Sequence, residues 1–256
     1  MKAKTKRTSN ASASKKGSTA NKVSATRSTS AANRKPVTSN EFHLNHEQVQ
    51  ASNSFATKPI VVLHGPAGTG KSAVACYVGL KRLMAKDIDR IIITRPAIAS
   101  EDLGYLPGDL NEKVEGPYAA PLVKLINMMG VNPARGSAID YYNNLKASGK
   151  LEFIPMGFLR GHTFDNSFVI ADEMQNSTPA QIKTLITRIG KNTSIAITGD
   201  TDQCDLPKHK VPVNGLEAVL QLSNHTPHVV DHLLTICERN PIIEDLLRAW
   251  PNIKLN

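Results

Sequence analysis

Six short apolar runs punctuate the chain from residue 60 onward, and none alternates cleanly with polar positions. They are Ile60–His64, Arg90–Thr94, Leu151–Ile154, Ser167–Ala171, Ser194–Thr198 and the less apolar His228–Leu233. The middle four are rich in Ile or Val and too short for a helix. Unbroken runs of this length suit strands covered on both faces, as in a parallel sheet. Between them lie stretches of helical length: Lys71–Ala85, Pro117–Gly130, Ser137–Leu145, Pro179–Gly190, Leu216–Leu222 and Pro241–Trp250. Pro179 and Pro241 stand where a first helical turn tolerates proline. Strand and helix therefore alternate, which predicts an α/β domain with a mostly parallel sheet between helices.

Ahead of residue 41 the pattern stops. Residues 1–40 are Ser, Thr, Ala, Asn and Lys with almost no large apolar side chain. Such a segment cannot bury enough surface to offset the entropy of ordering, which predicts a disordered tail followed by one domain over residues 41–256. That partition changes the meaning of the charge. The formal charge is +9, but residues 1–40 hold ten Lys and Arg and no acid, whereas the remaining 216 residues hold 21 basic and 22 acidic side chains. The basic excess belongs to the tail and gives no reason to expect a nucleic-acid-binding core. Three roles fit the tail: a solubilising leader, a salt-sensitive tether to RNA or DNA phosphates, or an organellar transit peptide. The sequence has no apolar run long enough to span a membrane and no secretory h-region. Cys76, Cys204 and Cys237 form no Cys-x-x-Cys pair, which points to a reducing cytoplasm.

The sharpest chemical signal follows the first strand. Gly65-Pro66-Ala67-Gly68-Thr69-Gly70-Lys71-Ser72 fits G-x-x-x-x-G-K-[ST]. A strand enters it and a helix-compatible run leaves it, the context a phosphate-binding P-loop requires. Glycines let successive backbone N–H groups turn toward the phosphates, and the helix N-terminus adds partial positive charge. Lys71 then reaches the β- and γ-phosphates, and the Ser72 hydroxyl ligates Mg2+. An ordinary glycine-rich turn is the competing reading.

Phe168-Val169-Ile170-Ala171 runs directly into Asp172-Glu173. Carboxylates at the carboxyl end of a buried strand stand where α/β proteins bind ligands. Asp172 is the candidate Mg2+ holder and Glu173 the candidate general base for an attacking water. A water-activating carboxylate suits an NTPase better than a phosphotransferase. No Asn-Lys-x-Asp guanine-reading motif is present, which favours ATP over GTP. The strand Ser194–Thr198 leads to Gly199-Asp200-Thr201-Asp202-Gln203, where Gln203 is either a γ-phosphate sensor or part of a polar loop capped by Asp200.

Further motifs accumulate in order: Thr94-Arg95-Pro96-Ala97, Leu103-Gly104-Tyr105-Leu106-Pro107-Gly108-Asp109-Leu110, FVIADEMQN over residues 168–176, Thr187-Arg188-Ile189-Gly190, and Thr198-Gly199-Asp200 with Gln203, Asp205, Leu206 and Pro207. With the P-loop, they resemble the PhoH family over roughly residues 44–250, relatives of the superfamily 1 helicase ATPase core. The resemblance implies a RecA-like ATPase domain and assigns several roles. Gln48 reads the adenine edge, Gln203 senses the γ-phosphate, and Arg188 and Arg239 lie near the nucleotide. Arg239 resembles a finger offered to a neighbouring subunit, the bland alternative being a surface arginine at a helix start. Thr94–Pro96 and Leu106–Leu110 fall where helicase relatives grip a nucleic-acid backbone, although Arg95 could equally be structural or face the nucleotide. The family implies RNA or another single-stranded nucleic acid as partner. It also implies self-assembly into a ring, six subunits being the suggested number. A nucleotide-gated scaffold with little turnover is the alternative. Ala171 departs from the larger aliphatic usual before Asp-Glu, and Thr235–Pro241 departs from the family's more acidic approach to its arginine.

Overall fold

The computed structural model describes residues 42–96, 110–130, 136–207, 209–240 and 242–250, without the side chains of Leu110, Ile243, Glu244 and Leu247. The tail, Ala97 and most of Leu103–Leu110 therefore lie outside the described residues.

Six strands form one sheet: β1 (Ile60–His64), β2 (Arg90–Thr94), β3 (Leu151–Phe153), β4 (Ser167–Ala171), β5 (Ser194–Gly199) and β6 (Val229–Leu233), in the order β3-β2-β4-β5-β1-β6. Every pairing is parallel. The lack of polar alternation has a plain cause, because both faces are covered. Along β4, Phe168 and Ile170 enter one core and Val169 and Ala171 the other; along β1, Val61 and Leu63 divide in the same way from Ile60 and Val62. At about 1.5–3 kcal/mol for each fully buried aliphatic side chain, these two cores are the main source of stability.

The helices are α1 (His46–Ser54), α2 (Lys71–Met84), α3 (Leu110–Met128), α4 (Ala138–Ala147), α5 (Pro179–Ile186), α6 (Gly215–Ser223) and α7 (Ile242–Ala249). The pattern of apolar positions gave no hint of α1, in which only Gln48 and Ala51 are buried. The signal that marks it is a capping box, with Asn45 and Gln48 satisfying each other's backbone N–H groups. The start expected at Pro117 is corrected to Leu110, with Pro117 and Pro121 inside α3. Val114, Tyr118, Leu122 and Leu125 form a buried stripe whose packing outweighs the two missing backbone donors. The helix expected to run to Gly190 ends at Ile186, because the chain then turns to pair Ile189 with Phe164.

This is the RecA-like α/β arrangement the resemblance implies. The register aligns His64 with Gly199 and Thr94 with Ala171. Gly65, Arg95, Asp172 and Asp200 therefore follow four strands at one edge of the sheet. No helix among the described residues is long and apolar enough to cross a membrane.

Candidate active site

A cleft of about 600 Å³ opens at that edge, lined by Lys71, Ser72, Asp172, Glu173, Gln203 and Arg239 among others. The loop between β1 and α2 is held from three sides. Gly65 has φ +133°, and a Cβ there would sit 2.1 Å from the Leu234 carbonyl oxygen. Glu238 donates its N–H to the Gly68 carbonyl at 2.9 Å, and Gln48 Nε2 donates to the Thr69 carbonyl at 3.0 Å. Lys71 Nζ turns across the loop and donates to the carbonyls of Gly65 (2.7 Å) and Pro66 (2.8 Å). Burial draws its pKa below the ordinary amine value, helped by Arg239 and opposed by Asp200, Asp172 and Glu173.

Asp172 is buried and receives three hydroxyls. Ser72 Oγ donates to Oδ1 and Oδ2 at 3.0 and 3.1 Å, Thr198 Oγ1 to Oδ1, and Tyr118 to Oδ2. Burial together with the Asp172 charge raises the Tyr118 pKa, so this phenol stays a donor. Tyr118 comes from α3, and its part in the site was not read from the sequence. Its place one turn below Val114 on the apolar stripe marks it only as core.

Glu173 follows with φ 58° and ψ 39°, left-handed backbone that costs a non-glycine residue about 1–2 kcal/mol. Such strain persists where surroundings enforce it. Here Gln175 Nε2 donates to Glu173 Oε2 at 2.6 Å. Gln203 reaches the same edge, its Nε2 donating to Asp200 Oδ2 at 2.9 Å. Asp200 thus caps this loop, as one of the two readings of the segment expects.

The three residues whose roles the resemblance alone assigned sit as follows. Gln48 is 3% exposed, and both ends of its amide are taken, Oε1 by the Asn45 N–H and Nε2 by Thr69. It braces the P-loop and is not among the residues that line the cleft. Arg188 donates to the carbonyls of Thr184 and His162. Its carbonyl accepts from Phe164, three residues before β4 begins, which places it at the amino edge of the sheet. A strand of five residues, roughly 16 Å, separates that edge from the cleft, so within one chain Arg188 lies away from the P-loop. Arg239 lines the cleft of its own chain. Its Cδ would lie 3.4 Å from a Cβ on Gly68 of the same chain. The segment carrying it is strapped down by Glu47, which accepts from Thr235 N (2.7 Å), Thr235 Oγ1 (2.6 Å) and Ile236 N (3.2 Å).

The family model described as PhoH-like protein matches residues 43–250. A PhoH-like protein of Synechocystis is 36% identical over 189 residues, covering 73% of this chain and 55% of its own. Protein PhoH of Escherichia coli K12 is 39% identical over 165 residues, covering 64% and 45%, and a PhoH-like protein of Bacillus subtilis is 39% identical over 196 residues, covering 73% and 56%. The chain thus spans about half the length of these relatives. Among solved structures, Pif1 helicase from Candida albicans aligns over 81% of this chain and 44% of its own, at 17% identity and a TM-score of 0.44.

Proposed function

This chain belongs to the PhoH-like protein family, and on that premise we propose that it binds ATP with Mg2+ and hydrolyses it. The observation that carries the reading is the convergence of Lys71, Ser72, Asp172, Glu173, Gln203 and Arg239 on one cleft at the mouth of the P-loop. The loop's N–H groups and Lys71 hold the triphosphate. Arg239, from the same chain, adds a second cation where charge spreads over the transferring phosphoryl group. Glu173 takes the proton of the attacking water, and Gln203 contacts the γ-phosphate end with its amide steadied by Asp200.

Ser72 and Asp172 are the Mg2+ holders in this reading. Their hydroxyl and carboxylate oxygens are hard donors about 3 Å apart, and no group of three or more His, Cys, Asp or Glu that could hold a metal occurs among the described residues. That suits an ion which takes one or two protein oxygens and fills its shell with water and phosphate. When bound, Mg2+ neutralises charge on the β- and γ-phosphate oxygens.

The same proposal includes coupling of turnover to RNA or another single-stranded nucleic acid, with the basic tail as tether, in the cytoplasm. Self-assembly into a ring, six being the suggested number, belongs to the proposal too; α7, which exposes Ile242, Leu246 and, just beyond its end, Trp250 at intervals of four, supports association but not its number. Arg239 acts within its own subunit in such a ring. The second reading, a nucleotide-gated scaffold, is disfavoured by Glu173, a carboxylate that mere binding does not need.

Phosphate release from Mg-ATP, with and without single-stranded RNA, tests this on the full chain and on Glu173→Gln. We expect turnover that rises with RNA, and a loss of roughly 10²–10⁴-fold in the variant with ATP still bound. Tight ATP binding without turnover in the unaltered chain would establish the scaffold instead.

A further inference from the structure

We infer that Gln175 is a positioning residue that fixes the Glu173 carboxylate to the Asp200–Gln203 loop, so that the water-activating group and the loop bearing Gln203 move as one unit. This rests on the hydrolytic reading above and adds to it a residue which touches neither phosphate nor water.

Gln175 is 1% exposed and lies in the single turn Met174–Asn176 after Glu173. Its Nε2 donates to Glu173 Oε2 at 2.6 Å, and its Oε1 accepts the Asp200 N–H at 3.1 Å. The orientation of this amide is not open to exchange. An ionised carboxylate only accepts and a backbone N–H only donates, so the NH2 must face Glu173 and the oxygen must face Asp200. Beyond Asp200 the connection continues, since its carboxylate accepts from Asp202 N at 3.0 Å and from Gln203 Nε2 at 2.9 Å. A bond from a neutral amide to a carboxylate is stronger than one between neutral groups, so the Glu173 end of the tie is the firmer.

Two further observations point the same way. The next residue repeats the tie, with Asn176 Nδ2 donating to Asp205 Oδ2 at 3.0 Å and Asn176 Oδ1 accepting Asp205 N at 2.8 Å. Cys204 Sγ adds a third link, donating to the Gln175 carbonyl at 3.2 Å, and of these ties only the Gln175 side chain reaches the candidate base. Gly199, the last residue of β5, is the second. Its φ lies outside the left-handed range, so the backbone there does not call for glycine. A Cβ would nevertheless lie 2.6 Å from Gln175 Oε1 and 2.8 Å from Leu216 Cδ2. Glycine at 199 leaves the room in which the Gln175 amide reaches Asp200.

The experiment uses the full chain with Gln175→Met, Gln175→Glu, Gly199→Ala and the Gly199→Ala/Gln175→Met double variant. Methionine keeps the length and loses both hydrogen bonds. Glutamate keeps the acceptor for Asp200 N and sets a like charge against Glu173. Misplacing a reacting group by about 1 Å costs up to 10²-fold. We therefore expect kcat for ATP to fall about 10–10²-fold in Gln175→Met and at least as far in Gln175→Glu, with the dissociation constant of a non-hydrolysable ATP analogue held within about twofold. Gly199→Ala should fall in the same direction, and the double variant should be no worse than Gln175→Met alone, since both break one tie. Equal losses in kcat and analogue affinity, additive losses in the double variant, or unchanged kcat in Gln175→Met would overturn the inference. Hydrogen exchange at the Asp200 amide reads the tie without turnover, and faster exchange is expected in Gln175→Met. Unchanged exchange would end the proposal by itself. A chain that hydrolyses nothing while its Asp200 amide responds would show that the functional reading had failed and the tie had not.

Discussion

The two walls of the cleft are fixed by different atoms. On the P-loop wall the restraints end on main chain: Glu238 N–H on the Gly68 carbonyl, Gln48 on the Thr69 carbonyl, Lys71 on the carbonyls of Gly65 and Pro66, and Gly65 against Leu234 O. On the wall formed by the ends of β4 and β5, side chains hold one another: Ser72, Thr198 and Tyr118 on Asp172, Gln175 on Glu173, Gln203 on Asp200, Asn176 on Asp205. A wall of main-chain contacts tolerates changes of side chain but not a Cβ where two backbones meet. A wall of paired side chains yields in smaller steps where an acceptor has several donors, as Asp172 does.

Gly65→Ala should break the first wall outright. The added Cβ would meet the Leu234 oxygen at 2.1 Å, with backbone on both sides and φ +133°. Neither partner can swing aside as a side chain would. We expect a stability loss of about 3 kcal/mol or more, read by urea unfolding, together with loss of ATP binding. A variant that bound ATP normally would mean the segment after β6 is not pressed against the loop.

The same contrast governs how much could be read from sequence. The sheet was legible because strands buried on both faces appear as unbroken apolar runs, and all six strands fall within one residue of the expected bounds. The P-loop was legible because backbone geometry is written in glycines at fixed spacing. Tyr118 and Gln175 were not, since their importance depends on a partner 54 residues away in one case and on an amide's orientation in the other. Arg188 shows the opposite error. A motif can place an arginine in the right order along the chain, yet α5 carries this one to the far edge of the sheet. α1 escaped notice because two buried residues in nine make no periodic signal, although its capping box was there to read.

Tyr118→Phe probes the second wall. It removes one donor from Asp172 and leaves Ser72 and Thr198 in place. No cavity forms and the acceptor keeps partners, so the loss should be about 1 kcal/mol, measured by urea unfolding against the unaltered chain. A loss as large as that of Gly65→Ala would erase the distinction between the walls.

The smallest effect tests an exception on the P-loop wall itself. The segment bearing Arg239 is pinned there by side chains as well, Asn45 on the Glu238 carboxylate and the half-buried Glu47 on Thr235 and Ile236. Burial works to raise the Glu47 pKa, but the Thr235 hydroxyl, the two N–H groups and the charge of His46 prevail and hold it below 4.5. A depressed folded-state pKa means that the stabilisation is fully present above the unfolded value near 4.5. It is lost as pH falls through the folded value. Glu47→Gln keeps one oxygen for the two backbone N–H groups, turns an NH2 toward the Thr235 hydroxyl, which can then accept, and loses the charge in a place where solvent screens it. We expect about 0.5 kcal/mol at pH 7, shrinking toward zero as unfolding is measured at successively lower pH beneath 4.5. A difference that persisted on the acid side would mean that the carboxylate charge is not what fastens Arg239 beside the phosphate loop. The second acceptor oxygen of Glu47, which glutamine lacks, would then be the remaining cause.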